Sequence, residues 1–280
     1  MRALFLIPGG GSTQLQAFPA VAAAAEQLGA TVQVACSPEA TPLWGLLPAV
    51  EKVIPFNFSE ANLADWSNLL GSVRDPDFQV CLNLAGGRQV DLMLSMSHIP
   101  TRIAASGFSA TERVQPGGGW PNQALAAYLK PIGVELKADA FRLALPKAEL
   151  EAAAAALPAG DGPLLLLAPR GGSGDWPASQ WQELPSSIRA RLPQLRSLAA
   201  PAASGPSQLR RRAALVASAD VVLASDPLTI ELALLCAVPL VALGRSQDSL
   251  PSRADLKALA PEGGLEQLGV PEVMAALGFG

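Results

Sequence analysis

RRRAALVASADVVLASDPLTIELALLCAVPLVALG, residues 210–244, decides the fold class. It reads as a helix, a short buried strand, a turn at Asp226, a second helix and a second buried strand. LLLLAPRGGSGDWPASQW, residues 164–181, is another such unit: apolar strand, glycine-rich turn, helix entry. Apolar strands alternating with helices, with polar turns between them, make a parallel α/β sheet. Its ligands are expected at the carboxyl ends of the strands.

Upstream, the same rhythm recurs. Strands are expected at 3–8, 31–36, 52–56, 79–84 and 102–105, and helices at 14–28, 42–49, 63–73 and 89–97. Residues 106–121 read as loop, broken by Gly117–Gly119 and Pro121, and 122–129 as a helix. PKAELEAAAAALPAGDGP, 146–163, combines an Ala-rich helix with a Pro/Gly-rich connector. The chain therefore divides into a first doubly wound domain (1–145), a connector (146–163) and a second domain (164–280). In the second, strands are expected at 164–168, 196–199, 221–224 and 239–243, and helices at 178–192, 208–217 and 228–236. Residues 253–260 and 271–277 read as closing helices.

Composition narrows the function classes. Half of the 280 residues are hydrophobic and 16% are charged, enough to bury a large core and too apolar for extended disorder. A net charge of −4 speaks against a nucleic-acid binder. The basic run Arg210–Arg212 opens a helix and reads as a solvated face. Three cysteines (Cys36, Cys81, Cys236) form no C-x-x-C pair, so buried reduced thiols in a cytoplasmic protein are expected. A single histidine, His98, excludes a His-rich zinc site and reads as a helix-ending cap. No apolar run reaches the ~18 residues of a membrane span. The mean hydropathy of +0.29 fits buried parallel sheets, or an apolar face meeting a partner or a membrane surface.

The order of motifs resembles glycosyltransferase family 9, the ADP-heptose:lipopolysaccharide heptosyltransferases. STQLQAFPA (12–20) stands where that family has Gly-Asp-x-hydrophobic-x-x-x-Pro-Ala. RIAASGF (102–108) looks like its Arg-Ile-Gly-Phe turn, and WPNQALAAYLKPIG (120–133) like the helix that follows. LLLLAPRGGSGDWPASQW is similar to its strand, loop and Lys-x-Trp-Pro-x-x-x-Trp. SADVVLASDPLTIELALLCAVPLVALG is similar to its strand, Asp-Thr-Gly-x-x-His, helix and final strand. The resemblance implies a GT-B-like α/β architecture, two Rossmann-like doubly wound domains facing a cleft. It also implies metal-independent transfer from a nucleotide-sugar donor, ADP-linked in the family, to a saccharide or lipid-linked acceptor, with peripheral contact to the inner membrane. No further cofactor is implied.

This chain departs from the family where chemistry is expected. Registered on Pro19, the catalytic aspartate corresponds to Thr13, whose hydroxyl has no useful basicity near neutral pH. The lysine before Trp-Pro corresponds to Gly174. Asp-Thr-Gly-x-x-His becomes Asp226-Pro227-Leu228-Thr229-Ile230-Glu231. Pro227 has no N–H to offer a phosphate, and Leu228 adds bulk where glycine allows close approach. The expected catalytic positions are Thr13 and Glu231, with Asp91 and Asp175 as other carboxylates able to act as base. The expected ligand contacts are Gly10, Gly11, Ser12, Arg88, Arg170, Gly171, Gly172, Ser173, Asp226, Thr229 and Arg245.

Each has a structural alternative. Asp226 before Pro227 makes a good N-cap, and Gly9–Gly11 makes a tight turn. Asp75-Pro76-Asp77 reads as a surface turn rather than a metal motif. Trp176 and Trp181 are expected to wedge a helix against the sheet. Two functions follow: a glycosyltransferase with altered catalytic residues, or a catalytically inactive descendant that binds a ligand or a protein partner.

Overall fold

The computed structural model describes residues 1–201 and 205–279; residues 202–204 and 280 of the expected second domain lie outside this description. The chain separates into two compact units, Met1–Phe141 and Arg142–Gly280. Each is a parallel sheet with helices packed on it.

In the first unit the strands are β1 (Arg2–Ile7), β2 (Thr31–Cys36), β3 (Val50–Pro55), β4 (Val80–Asn83), β5 (Thr101–Ala104) and β6 (Glu112–Arg113). Their order is β3-β2-β1-β4-β5-β6, all parallel. The helices are α1 (Gly11–Leu28), α2 (Leu63–Arg74), α3 (Arg88–Met96), α4 (Pro121–Ala124) and α5 (Ala126–Leu129), with a 3-10 helix over Pro38–Leu46. β1 is buried from Ala3 to Ile7, and its side chains serve both faces of the sheet. Leu4 and Leu6 pack in one cluster with Trp66, Leu69 and Val73 of α2 and Val90, Met93 and Leu94 of α3. The strand's period of two turns Phe5 and Ile7 to the opposite face.

In the second unit, α6 (Lys147–Ala155) leads into β7 (Leu164–Ala168), α7 (Ala178–Arg189), β8 (Arg196–Ala199), α8 (Pro206–Ala217), β9 (Val221–Ala224), α9 (Pro227–Cys236), β10 (Leu240–Leu243), β11 (Leu256–Leu259) and α10 (Val270–Ala276). The strand order is β11-β10-β9-β7-β8, again all parallel. Leu165 and Leu167 pack with Trp176 and with Trp181, Leu184 and Ile188 of α7. The two indoles meet edge-on, centroids 5.1 Å apart, and Trp176 Nε1 donates to Leu268 O at 2.7 Å. That is the wedge expected of the pair.

Three expectations need correction. Residues 253–260 do not close the fold as a helix. Leu256–Leu259 is β11, in parallel register with Leu240–Leu243. Its residues favour helix by propensity, but pairing with the edge of β10 satisfies Leu240 N through Asp255 O and Gly244 N through Leu259 O. The stretch 106–121 is not wholly loop, because Glu112–Arg113 adds β6 beside β5. Arg210–Arg212 is not wholly solvated: Arg210 and Arg211 are exposed, whereas Arg212 turns inward onto Asp226. His98, at φ 66° just past α3, ends that helix in the left-handed conformation.

Candidate functional site

In an open parallel sheet, the crevice lies where the strand order reverses. In the first unit that point is between β1 and β4. The loop after β1 runs through Pro8, Gly9 and Gly10 into α1, and the loop after β4 runs through Gly86 and Gly87 into α3, so Gly10, Gly11, Ser12, Thr13 and Arg88 all belong to one end of the sheet. The turn after β1 is held by Gln14, which is fully buried. Its Nε2 donates to Ile7 O at 2.9 Å and Gly9 O at 3.2 Å, and its Oε1 accepts from Trp44 Nε1 at 3.2 Å. Gly10 is the N-cap of α1 and provides no side-chain cap, and the first turn contains no acidic residue. The helix therefore leaves its leading N–H groups and positive dipole end to solvent or a ligand. Thr13 is exposed in this first turn, with Oγ1 toward Gly9. Arg88 is exposed at the first position of α3.

Asp91, one turn further along α3, is buried and held by the loop after β5. Its Oδ1 accepts from Ser109 Oγ at 2.6 Å, and Oδ2 from Phe108 N at 3.3 Å. Gly107 makes this possible: its φ is 109°, and a Cβ there would lie 2.3 Å from Asp91 Oδ1.

In the second unit the order reverses between β7 and β9. The two strand ends are laced together: Ser225 N and Asp226 N donate to Ala168 O, each at 3.1 Å, and Arg170 N donates to Ser225 Oγ at 2.8 Å. Asp226 caps α9 as its sequence promised. Its Oδ2 accepts from Thr229 N at 3.0 Å, from Thr229 Oγ1 at 2.6 Å and from Arg212 Nη1 at 3.0 Å. This positive helix end is thus already answered by a carboxylate, which is itself paired with a cation. Glu231, one turn on, is 2% exposed, and its Oε1 accepts from Arg245 Nη2 at 2.7 Å. Asp175 is buried under its own loop, accepting from Gly171 N at 2.6 Å and Trp176 N at 2.8 Å.

Two cavities flank this loop. One, of about 340 Å³, is lined by Arg170, Gly174, Ser225, Pro227 and Arg245 together with the loops after β10 and β11. The other, of about 650 Å³, is lined by Gly171, Gly172, Ser173, Trp176 and Trp181 and reaches the ends of β7 and β8. Thus Arg170 and Arg245 meet at one cavity, Glu231 stands behind Arg245, Asp226 and Thr229 bind each other, and Gly171–Ser173 face the second cavity. Gly174 adopts φ 75°, a conformation that resists the lysine expected at this position by the family pattern.

Sequence reasoning missed Ser225 and Arg212. Ser225 follows a strand, which is a usable signal. Arg212 lies 14 residues from Asp226 on another helix, and nothing local announces the pair. Among the described residues no group of His, Cys, Asp and Glu is arranged to hold a metal ion. No helix there is long and apolar enough to cross a membrane.

Two parallel-sheet, Rossmann-like units in one chain define the GT-B-like class of fold. Within that class the chain is similar to a glycosyl transferase family 9 protein from Veillonella parvula, with a TM-score of 0.76 and 12% identity over 99% of this chain and 96% of that one. The Escherichia coli ADP-heptose lipopolysaccharide heptosyltransferase II matches with a TM-score of 0.73 and 16% identity, over 99% and 98% of the two chains. E. coli heptosyltransferase WaaC, solved with ADP-2-deoxy-2-fluoro heptose, matches with a TM-score of 0.72 and 16% identity, over 99% of both. The likeness in fold therefore runs to the family that the motif order resembles. No protein-family model matches the chain, and no curated protein matches it in sequence.

Proposed function

We propose that this protein is a metal-independent glycosyltransferase of the GT-B type. It takes a nucleotide-sugar donor at the strand ends of its second unit and passes the sugar to a saccharide or lipid-linked acceptor. The observation that carries this reading is the cavity at the β7/β9 switch point, where Arg170 and Arg245 converge beside Ser225. Guanidinium groups suit the phosphate of a departing nucleotide, and the position is where an open α/β sheet binds ligands. In this reading Arg170 steadies the leaving group.

A second reading is favoured by a specific observation. Asp91, Asp175, Asp226 and Glu231 all accept hydrogen bonds from the protein's own groups. A carboxylate so engaged is a poor general base for an acceptor hydroxyl. The alternative is a descendant that binds the nucleotide-bearing ligand, or a partner protein, and no longer transfers the sugar. Incubation with ADP-, UDP- and GDP-sugars, with release of nucleotide followed in the presence of saccharide acceptors, separates the two. Turnover establishes the transferase. Binding without turnover establishes a ligand-binding descendant. The absence of both refutes both nucleotide readings and leaves the partner-binding descendant.

A further inference from the structure

The two cavities beside the loop after β7 differ in chemistry. Among the described residues, the smaller, of about 340 Å³, has two cations in its lining, Arg170 and Arg245, and no carboxylate. Arg245 donates to Glu231 and Arg170 to Ser173 O, and each guanidinium has further N–H groups to offer an anion. The larger, of about 650 Å³, has no cation in its lining. Its walls include Leu167, Pro169, Trp176, Ala178, Trp181 and Ala199. Of its two carboxylates, Asp175 accepts from Gly171 N and Trp176 N, and Glu266 is exposed. The loop between the cavities is nearly bare. A Cβ at Gly171 or Gly172 would meet nothing within 4 Å, and one at Gly174 would meet only Arg170 Nη2, at 3.6 Å. Gly174 lines both cavities, so at the residue they share no side chain walls one from the other.

We infer that the two cavities are lobes of one site, joined across Gly174, and that the larger lobe holds the base of a nucleotide whose phosphates lie in the smaller. The inference rests on the reading of the smaller cavity as a nucleotide-phosphate site and says where the rest of that ligand goes. Phosphate suits the lobe with two guanidinium groups and is out of place in the lobe that has carboxylates and no cation. A flat heteroaromatic ring gains from an apolar wall and has few polar edges to satisfy, which Glu266 at the rim can serve. A sugar would bring a hydroxyl at nearly every carbon into a lining with few free partners for them. Glycine at 174 leaves the passage between the lobes open. It is therefore a specificity determinant, by which one elongated ligand reaches both lobes.

The test is calorimetric titration of the full chain with pyrophosphate and with ADP, CDP, UDP and GDP. The preferred nucleoside diphosphate is expected to bind at least about tenfold more tightly than pyrophosphate. Ala178 and Ala199 are exposed residues in the lining of the larger lobe, so Ala178→Phe and Ala199→Phe fill that lobe without entering the core. Each should weaken the nucleoside diphosphate by about tenfold or more and leave pyrophosphate within about threefold. Circular dichroism checks that both variants fold. A nucleoside diphosphate no tighter than pyrophosphate, or one whose affinity both folded variants leave unchanged, overturns the inference and leaves the phosphate site standing. Folded variants that weaken pyrophosphate as much as the nucleotide overturn it too, because the lobes would then not be separate in what they bind. Failure of pyrophosphate and all four nucleotides to bind overturns the inference and the nucleotide reading together.

Discussion

Replacing Asp226 with alanine should be among the most damaging single changes in the second unit. One oxygen, Oδ2, accepts from Thr229 N, Thr229 Oγ1 and Arg212 Nη1. Loss of the N-cap costs about 1 kcal/mol. Breaking a buried ion pair by removing one partner costs about 3–5 kcal/mol. The side chains of Arg212 and Asp226 are 11% and 18% exposed, so the lower end of that range applies. Because the contacts share an oxygen they are not independent, and the expected total is about 3–4 kcal/mol. Asp226→Asn keeps a good cap and loses the charge, so it should cost roughly 1 kcal/mol less than alanine. The chain has two units, so a global melting curve would mix two transitions. Native-state hydrogen exchange at the amides of Ile230–Leu235 reports on the second unit alone. A loss below about 1 kcal/mol for Asp226→Ala would mean that capping accounts for everything and that the pair with Arg212 is solvated.

Other predictions follow from the same geometry. Gly107→Ala combines an unfavourable φ of 109° with a Cβ 2.3 Å from Asp91 Oδ1, so the first unit should lose more than about 2 kcal/mol, read by native-state hydrogen exchange at the amides of β4 and α3. A loss below about 0.5 kcal/mol would show that the loop and Asp91 separate cheaply. Burial pushes the Cys36 thiol up to about 11 and the Cys236 thiol up to about 12, and raises that of Cys81 further. Folding then favours the protonated thiol, so stability is fully present below the unfolded pKa of about 8.5 and falls as pH rises toward 11. Urea midpoints between pH 8 and 10.5 should decline, and a Cys36→Ala/Cys81→Ala/Cys236→Ala variant should decline less; equal slopes would refute the assignment.

Much of the fold can be read from local sequence because most of its strands are short apolar runs between turn residues. TVQVAC, LLLLA and VVLA lie where their patterns place them, at Thr31–Cys36, Leu164–Ala168 and Val221–Ala224. The cap of α9 is likewise legible, since Asp226 before Pro227 satisfies a helix end within four residues. β11 is not legible, because LKAL has a helix former at each position and becomes a strand only beside β10. The charge balance of the cavity is hidden for the same reason. Glu231 and Arg245 belong to a helix and to a loop after the next strand, and they meet only because β10 runs back alongside α9. Sequence can nominate the cations, but only the fold shows which of them meets a carboxylate.

The parallel arrangement of both sheets has a consequence for synthesis. No two adjacent strands form a hairpin, so each pairing waits for a crossover. Ala3 of β1 stands beside Val80 of β4, and Leu165 of β7 beside Val221 of β9. At ~5–20 residues per second, a ribosome takes on the order of 4–15 s to supply the partner of β1 on that side. For that interval a strand buried on both faces in the final protein has one edge unpaired and its apolar side chains uncovered. The seams that close late are those at the two switch points, and their glycine-rich loops cannot take their final shape until the chain beyond them has emerged.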